Sequence, residues 1–440
     1  MNILELKQKI IKVIENNSKE IISIGEKIYN HPELGYKEHF ATDIVSDKLG
    51  NLGLEVNKNI AVTGCSALVP GKSEGPNVCM MGELDAIIVR QHKDADPVTG
   101  AVHACGHNIQ IAAMIGAAIG LVKSGVMPEL DGSVTFLAVP AEEYIELDYR
   151  STLRDKGKIK YFGGKQELIQ KGFFDNIDIS MMVHALDLSS MNGDILVGPK
   201  GNGFIGKNVH FIGKESHAGS APEKGINALN AAMLAMNNIH AQRETFSDSE
   251  RIRVHPIITN GGDIVNVVPA NVTMETYVRG RTLAGIADAN EKVNRALIAG
   301  AMAVGANIKI DEIPGYFPLL NNTYLDDLFK ENAKNILEAD KIVSGGDFTG
   351  SFDFGDISHL MPALHPMIGG VAGGLHTKDF HITDPYLAYI VPAKLMALTV
   401  VDLLFDNAAK AKDLIADFKP PMTKKEYLDF MEKSSRVIEN

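Results

Sequence analysis

His103, Cys105 and His107 stand at alternate positions, with alanine and glycine between them, and Asn108 follows directly. Imidazole and thiolate are ligands for borderline divalent ions, and the glycine lets the backbone come close to whatever is bound. The Ala/Ile/Leu-rich run 109–123 predicts a buried helix. The cluster would then sit at the mouth of a rigid element, which is how a metal site is held in place. A buried cysteine with two core histidines is the plainer account of such residues taken singly. It loses force because further donors follow downstream.

Glu142 and Glu143 close an apolar stretch after Val139-Pro140-Ala141. Neighbouring residues of an extended chain point opposite ways, but the twist at a strand end can turn both toward one cleft. One carboxylate would then serve as a ligand and the other as a proton carrier. His184 ends the next apolar run, and His376 follows the double glycine 373–374. Cys105, His107, Glu143, His184 and His376 make five N, S and O donors. That is more than one closed tetrahedral ion needs, and it suits two ions that share ligands and keep positions open for water. Asp85, two residues after Glu83, could support a ligand from behind. Thiolate with imidazole favours zinc, and the carboxylates would also accept manganese.

These residues need a large scaffold. The chain has 440 residues, more than one hydrophobic core usually holds, so two domains are expected. A net charge of −12 without basic clusters argues against nucleic acid and anionic membranes as partners. Cys65, Cys79 and Cys105 are too few for a disulfide framework and suit a reducing, cytoplasmic setting in which Cys105 is free to act as a thiolate. No signal peptide is visible, and no apolar run reaches the ~20 residues that span a bilayer.

Helical spacing predicts one helix over 3–30, stopped at His31-Pro-Glu-Leu-Gly35, and a second over 38–52. Strands are expected at 60–69, 77–82, 133–139 and 178–184, with helices near 109–123 and 165–171. This alternation predicts an α/β domain with a mostly parallel central sheet, and ligands bind such sheets at the carboxyl ends of their strands. From about residue 200 the order becomes strand 207–212, helix 225–242, strands 251–260 and 271–281, helix 285–303 and strand 306–312. That is a ferredoxin-like α+β arrangement. The expected organisation is a catalytic domain of 1–200 and 314–440 with an inserted domain of 201–313. The charged tail 420–440 is expected to be peripheral.

The ordered motifs His31-Pro-Glu-Leu-Gly, Leu84-Asp-Ala, His103-Ala-Cys-Gly-His-Asn, Pro140-Ala-Glu-Glu, Ser216-His-Ala, Asn266-Val-Val-Pro and Gly374-Leu-His run over about residues 30–400. In that order they resemble the metal-dependent amidohydrolases and peptidases that include carboxypeptidase G, aminoacylase and the auxin-conjugate hydrolases. Asn108 and the stretch 350–358 look nearest to the aminobenzoyl-glutamate hydrolase branch. The resemblance implies a zinc-exopeptidase-like catalytic domain with an inserted lid and dimerisation domain. It implies Cys105, His107, Glu143, His184 and His376 as ligands of two divalent ions, zinc or manganese, and Glu142 as general base. It implies that His217 reaches the partner subunit's site to steady an oxyanion, and that Asn266 and Arg279 hold a substrate carboxylate, a task suited to the guanidinium fork. A surface salt bridge is the other reading of Arg279. The implied reaction is hydrolysis of the amide bond in an N-acyl or N-aroyl amino acid or a dipeptide, carried out by a homodimer. A Cys105-dependent hydrolase and a catalytically silent binding protein are the alternatives. The chain departs from its relatives at Tyr144-Ile-Glu-Leu-Asp-Tyr-Arg150 and onward to about Lys165, where they have a few glycines.

Overall fold

The computed structural model describes residues 1–440. Its contacts divide the chain into two compact units. The first comprises Met1–Pro199, Leu320–Asp347 and Ile357–Pro421, and the second comprises Lys200–Leu319, Phe348–Asp356 and Met422–Asn440.

The first unit opens with helices α1 (Ile3–Asn16) and α2 (Ser18–Tyr29), followed by α3 (His39–Asn51). The single helix expected over 3–30 is broken at Asn17, whose side-chain amide turns back onto the Val13 carbonyl at 2.7 Å. Asparagine competes in this way with the helical ladder. The strand expected at 60–69 is a hairpin instead, β1 (Val56–Ile60) against β2 (Gly64–Pro70). Ala61 and Val62 turn the corner with φ of 46° and 79°, which the β-forming character of the run conceals.

β3 (Ser73–Glu83), α4 (His107–Lys123), β4 (Asp131–Val139), α5 (Leu147–Asp155), α6 (Gly164–Gln170) and β5 (Ile179–Met181) follow. The sheet order is β1-β2-β4-β3-β5 and then the short strand Ala363–Leu364. It is antiparallel as far as β4 and parallel beyond it. α4 is buried from His107 to Leu121, and the helix Val391–Leu404 is buried throughout. Against the expectation that no apolar run is long enough, Tyr386–Leu404 has the length and apolar content of a membrane span, with 94% of its apolar window buried as a core helix. In the parallel register Glu83 pairs with Val139, so β3 and β4 end at one level and deliver their carboxylates side by side.

In the second unit β6 (Gly203–Ile212), α7 (Ala228–Gln242), β7 (Asn271–Gly280), α8 (Leu283–Ala303) and β8 (Asn307–Pro314) supply five of the six elements of the expected βαββαβ arrangement. The place of the strand expected over 251–260 is taken by Arg253–Val254 and Ile257–Asn260, both antiparallel to β7. Caps fix both helices: the Asn227 side chain accepts from the N–H groups of Leu229 and Asn230, and Thr282 accepts from Gly285. The tail departs from the expectation of a peripheral segment. α9 (Lys424–Ser434) buries Tyr427 and Met431, and β9 (Val437–Glu439) adds an edge strand to β8 with Ile438 opposite Ile310. Beneath it, buried Glu312 accepts from Lys207, from Asn290 at 2.7 Å, from Asn294 at 2.9 Å and from Arg436.

Candidate metal centre

The first unit gathers its donors from five places. Glu83 and Asp85 lie at and just beyond the end of β3, and Glu142 and Glu143 follow β4. Cys105 and His107 flank Gly106, the residue before α4. Gly106 has φ +81°, and a Cβ there would lie 2.6 Å from the Ala185 methyl, so the loop closes only around glycine. His184 opens the short strand His184–Ala185, with its N–H donating to the Pro366 carbonyl at 3.0 Å. His376 is a non-glycine residue at φ 61°, and its N–H donates to the Ala104 carbonyl at 2.9 Å.

All five sequence-derived donors converge. Cys105 Sγ lies 3.6 Å from His184 Nε2 and 3.2 Å from His376 Nε2. His376 Nε2 is 3.0 Å from Glu143 Oε1. Cys105–His107–His184, Cys105–Glu143–His376 and Glu83–His107–Glu142 each bring their ligating atoms within 4.8 Å of one another. Cys105 and His107 each belong to two of these groups, so the groups share members. Glu142 Oε2 stands 3.7 Å from His107 Nε2.

Asp85 is wholly buried and uses both oxygens. Oδ1 faces His107 Nδ1 at 3.2 Å, beside the Asp85 carbonyl at 2.8 Å, and Oδ2 accepts the Glu143 N–H at 2.8 Å. Both partners of His107 Nδ1 are acceptors, which assigns the proton to Nδ1 and turns Nε2 toward Glu83 and Glu142. The Ala185 carbonyl, 2.9 Å from His184 Nδ1, orients that ring in the same sense. His107 Nε2 and Glu143 Oε1 are buried without a well-aligned hydrogen bond, although charged atoms stand close to each. Soft and hard donors at these separations, with Nε2 lone pairs turned inward, fit divalent metal ions.

The electrostatics follow from packing these groups together. Burial alone would raise the Cys105 thiol, and so would Glu143; the imidazoles of His376, His107 and His184 outweigh both and bring it to about 6. Glu143 is likewise pushed up by burial, yet His376 and His107 hold it at about 2. Burial opposes protonation of His376, but Glu143 and Cys105 lift it to about 11. His107 and His184 also rise despite burial, driven by Glu83 and Cys105 respectively. A divalent cation takes the role these protons play, so ligation displaces them.

Not every singled-out residue joins the cluster. His103 is buried with both ring nitrogens unpartnered, belongs to none of the three groups, and is held at about 3 by burial and by His107. His217, Asn266 and Arg279 belong to the second unit. His217 is exposed, and its Nδ1 accepts from the N–H groups of Gly219 and Ser220, both at 3.1 Å, which leaves Nε2–H as a donor. The Asn266 carbonyl accepts the Ala218 N–H at 2.8 Å, so the two loops run together. Arg279 lies half-buried, 5.6 Å and 5.3 Å from the rings of Phe204 and Tyr277, with no carboxylate paired to it. The salt-bridge reading therefore does not hold.

Glu83, to which the residue pattern assigns no role, joins the cluster. It sits 3.0 Å from His107 Nε2, accepts from Gln110 at 2.8 Å, and pairs with wholly buried Lys165 at 2.5 Å. Its place two residues before Asp85 was the available signal; nothing announced Lys165, 82 positions away. Asn108 has a structural reason to be an amide. Its Nδ2 donates to Tyr389 Oη at 2.9 Å and to the Gly25 carbonyl at 3.3 Å, a donation that a carboxylate could not make.

The comparisons agree with this architecture. Residues 201–301 match the family described as the peptidase dimerisation domain. The chain is similar to the Xaa-Arg dipeptidase of Mus musculus, at 27% identity over 92% of this chain and 90% of that protein. It shares its fold with a Bacillus subtilis protein described as a dinuclear metal binding peptidase from the M20 family, with TM-score 0.65, 21% identity, 89% of this chain and 99% of that one. The aminobenzoyl-glutamate utilization protein from Klebsiella pneumoniae aligns with TM-score 0.65 and 17% identity, covering 89% of this chain and 98% of that one. These likenesses bear out the resemblance drawn from the motifs and the α/β fold class with its inserted α+β domain.

Proposed function

We propose that this protein is a metal-dependent amidohydrolase that cleaves the amide bond of an N-acyl or N-aroyl amino acid or a dipeptide. The observation that carries the reading is the convergence of Cys105, His107, Glu143, His184 and His376 in overlapping groups whose ligating atoms lie within 4.8 Å of one another, with Glu142 beside them. These five residues would hold two divalent ions, zinc or manganese, with Glu83 near His107 as a further carboxylate. Such ions, when bound, lower the pKa of water and polarise a carbonyl. Asp85 fixes the His107 tautomer and ties down the Glu143 main chain. Glu142 takes the proton from the attacking water and returns it to the leaving amine. The Nε2–H of the partner subunit's His217 donates to the tetrahedral oxyanion, and Asn266 and Arg279 hold the substrate's carboxylate. The acting form is a homodimer joined through the inserted domain, and three unpaired cysteines support a cytoplasmic location.

The test is Glu142→Gln. It keeps the shape, so metal content stays at the wild-type level while kcat falls at least ~100-fold. A variant with wild-type turnover would end the assignment of Glu142. The Cys105 thiol beside His376 also supports a cysteine nucleophile. A cysteine hydrolase keeps its activity in phenanthroline, whereas the metal enzyme loses it.

A further inference from the structure

Arg150 lies on α5, in the segment that follows Glu142 and Glu143. Its side chain is only 1% exposed, and arginine is seldom so buried without an anion to pair with. Here no carboxylate pairs with it. The guanidinium donates to the Phe162 carbonyl at 2.8 Å, to the Ala141 carbonyl at 3.4 Å and to the Glu143 carbonyl, with the rings of Tyr36 and Tyr144 5.5 and 6.0 Å away. Gly35 makes room for it: a Cβ there would lie 2.5 Å from a guanidinium nitrogen.

The other partners of this main chain complete the pattern. The Ala141 N–H donates to buried Glu38 at 2.7 Å, and the Glu143 N–H to Asp85 at 2.8 Å. The Ala141 carbonyl also accepts the Gly164 N–H at 3.2 Å. Both peptide groups flanking Glu142 are thus tied: the carbonyl before it to Arg150, and the N–H after it to Asp85. Ala141 is a non-glycine residue at φ 53°, a conformation that persists only where its surroundings hold it.

We propose that Arg150 is a positioning residue. Its guanidinium clamps the main chain on both sides of Glu142 to the Phe162 carbonyl just before α6, and so sets the direction in which the Glu142 and Glu143 carboxylates point. The segment from α5 to Phe162 is then a brace for the catalytic strand end. Arginine is required because its planar fork reaches several carbonyls at once, which a lysine ammonium on its single stem does not. The inference rests on the roles proposed for Glu142 and Glu143.

The experiment compares Arg150→Met, Arg150→Lys and, as a control on the same segment, exposed Lys156→Met. Each is titrated with Co²⁺ alone, following the visible spectrum of the thiolate-ligated ion, and then assayed for kcat, KM and Tm. Arg150→Met is expected to bind Co²⁺ ~10-fold or more weakly, with an altered spectrum. At saturating metal its kcat falls while KM stays near wild type. Arg150→Lys is intermediate, and the control matches wild type. Wild-type Co²⁺ affinity, spectrum and kcat in Arg150→Met, whatever its Tm, would overturn the proposal; if that variant does not fold, Arg150→Lys decides by the same readouts. A wild-type protein that binds Co²⁺ but hydrolyses nothing defeats the proposed function alone, because the Co²⁺ arm still judges Arg150. A wild-type protein that binds no metal defeats both.

Discussion

Asp85 engages two different elements with its two oxygens, a histidine ring at the start of α4 and a backbone amide beyond β4. Both groups are donors, so a side chain with one acceptor can serve only one of them. Asp85→Asn is therefore expected to fail nearly as fully as Asp85→Ala, with zinc affinity falling ~10- to 100-fold in a chelator-competition titration. Unchanged affinity in either variant would remove Asp85 from the site. Residue types carried much of the centre in advance. Cys105 and His107 are readable from their alternate spacing about Gly106, Glu143 from its place in a carboxylate pair after an apolar strand, and His184 and His376 from positions after an apolar run and a double glycine; the fold brings those ends together. His103 shared the motif but not the cluster, since alternation in a loop does not fix side-chain direction. Arg150 and Lys165 were not readable at all. A cation buried on carbonyls or on a distant glutamate has the same local sequence as a solvated one.

Apolar periodicity located the elements well, and failed where a polar side chain or a turn overrode it. Asn17 splits the first helix, and Ala61–Val62 folds one expected strand into a hairpin. The tail misled for another reason: among its charges, Tyr427 and Met431 are the anchors, and Arg436 binds Glu312 and Glu291. At that buried cluster the two partners of the central pair pull apart. Burial raises Glu312, but Lys207 and Arg436 hold it at about 2, whereas burial takes Lys207 down to about 8 against the pull of Glu312. The depression of Glu312 governs the pH dependence, because Glu312 takes further donors from Arg436, Asn290 and Asn294, whereas Lys207 gains one further acceptor, Asn294 Oδ1 at 2.6 Å. A carboxyl depressed below its ordinary 4.5 stabilises the fold above that pH, and the contribution is lost as pH falls toward about 2. Thermal denaturation across that window should show the loss in wild type and little of it in Glu312→Gln. At pH 7 that variant, which strands the Lys207 charge, should be less stable by ~3 kcal/mol. Equal pH dependence in the two proteins would contradict this account of how the tail is held.

For the whole molecule, subunit association is the consequential question. Ile264 and Val265, 62% and 95% exposed, precede Asn266 on the loop that pairs with the His217 segment. Apolar side chains so exposed next to candidate site residues fit an interface. Val265→Asp is expected to shift the protein from dimer to monomer in light scattering and to lower kcat at least ~10-fold, since oxyanion donors contribute that much or more. Its metal content should not change. A fully active monomer would show that no residue is supplied in trans. If the clustered donors hold the ions that make the chain a hydrolase, stripping the protein with a chelator abolishes amide hydrolysis, and titrating Zn²⁺ or Mn²⁺ back restores it with saturation at two ions per chain. Full activity in the stripped protein would show that the cluster holds no catalytic ion.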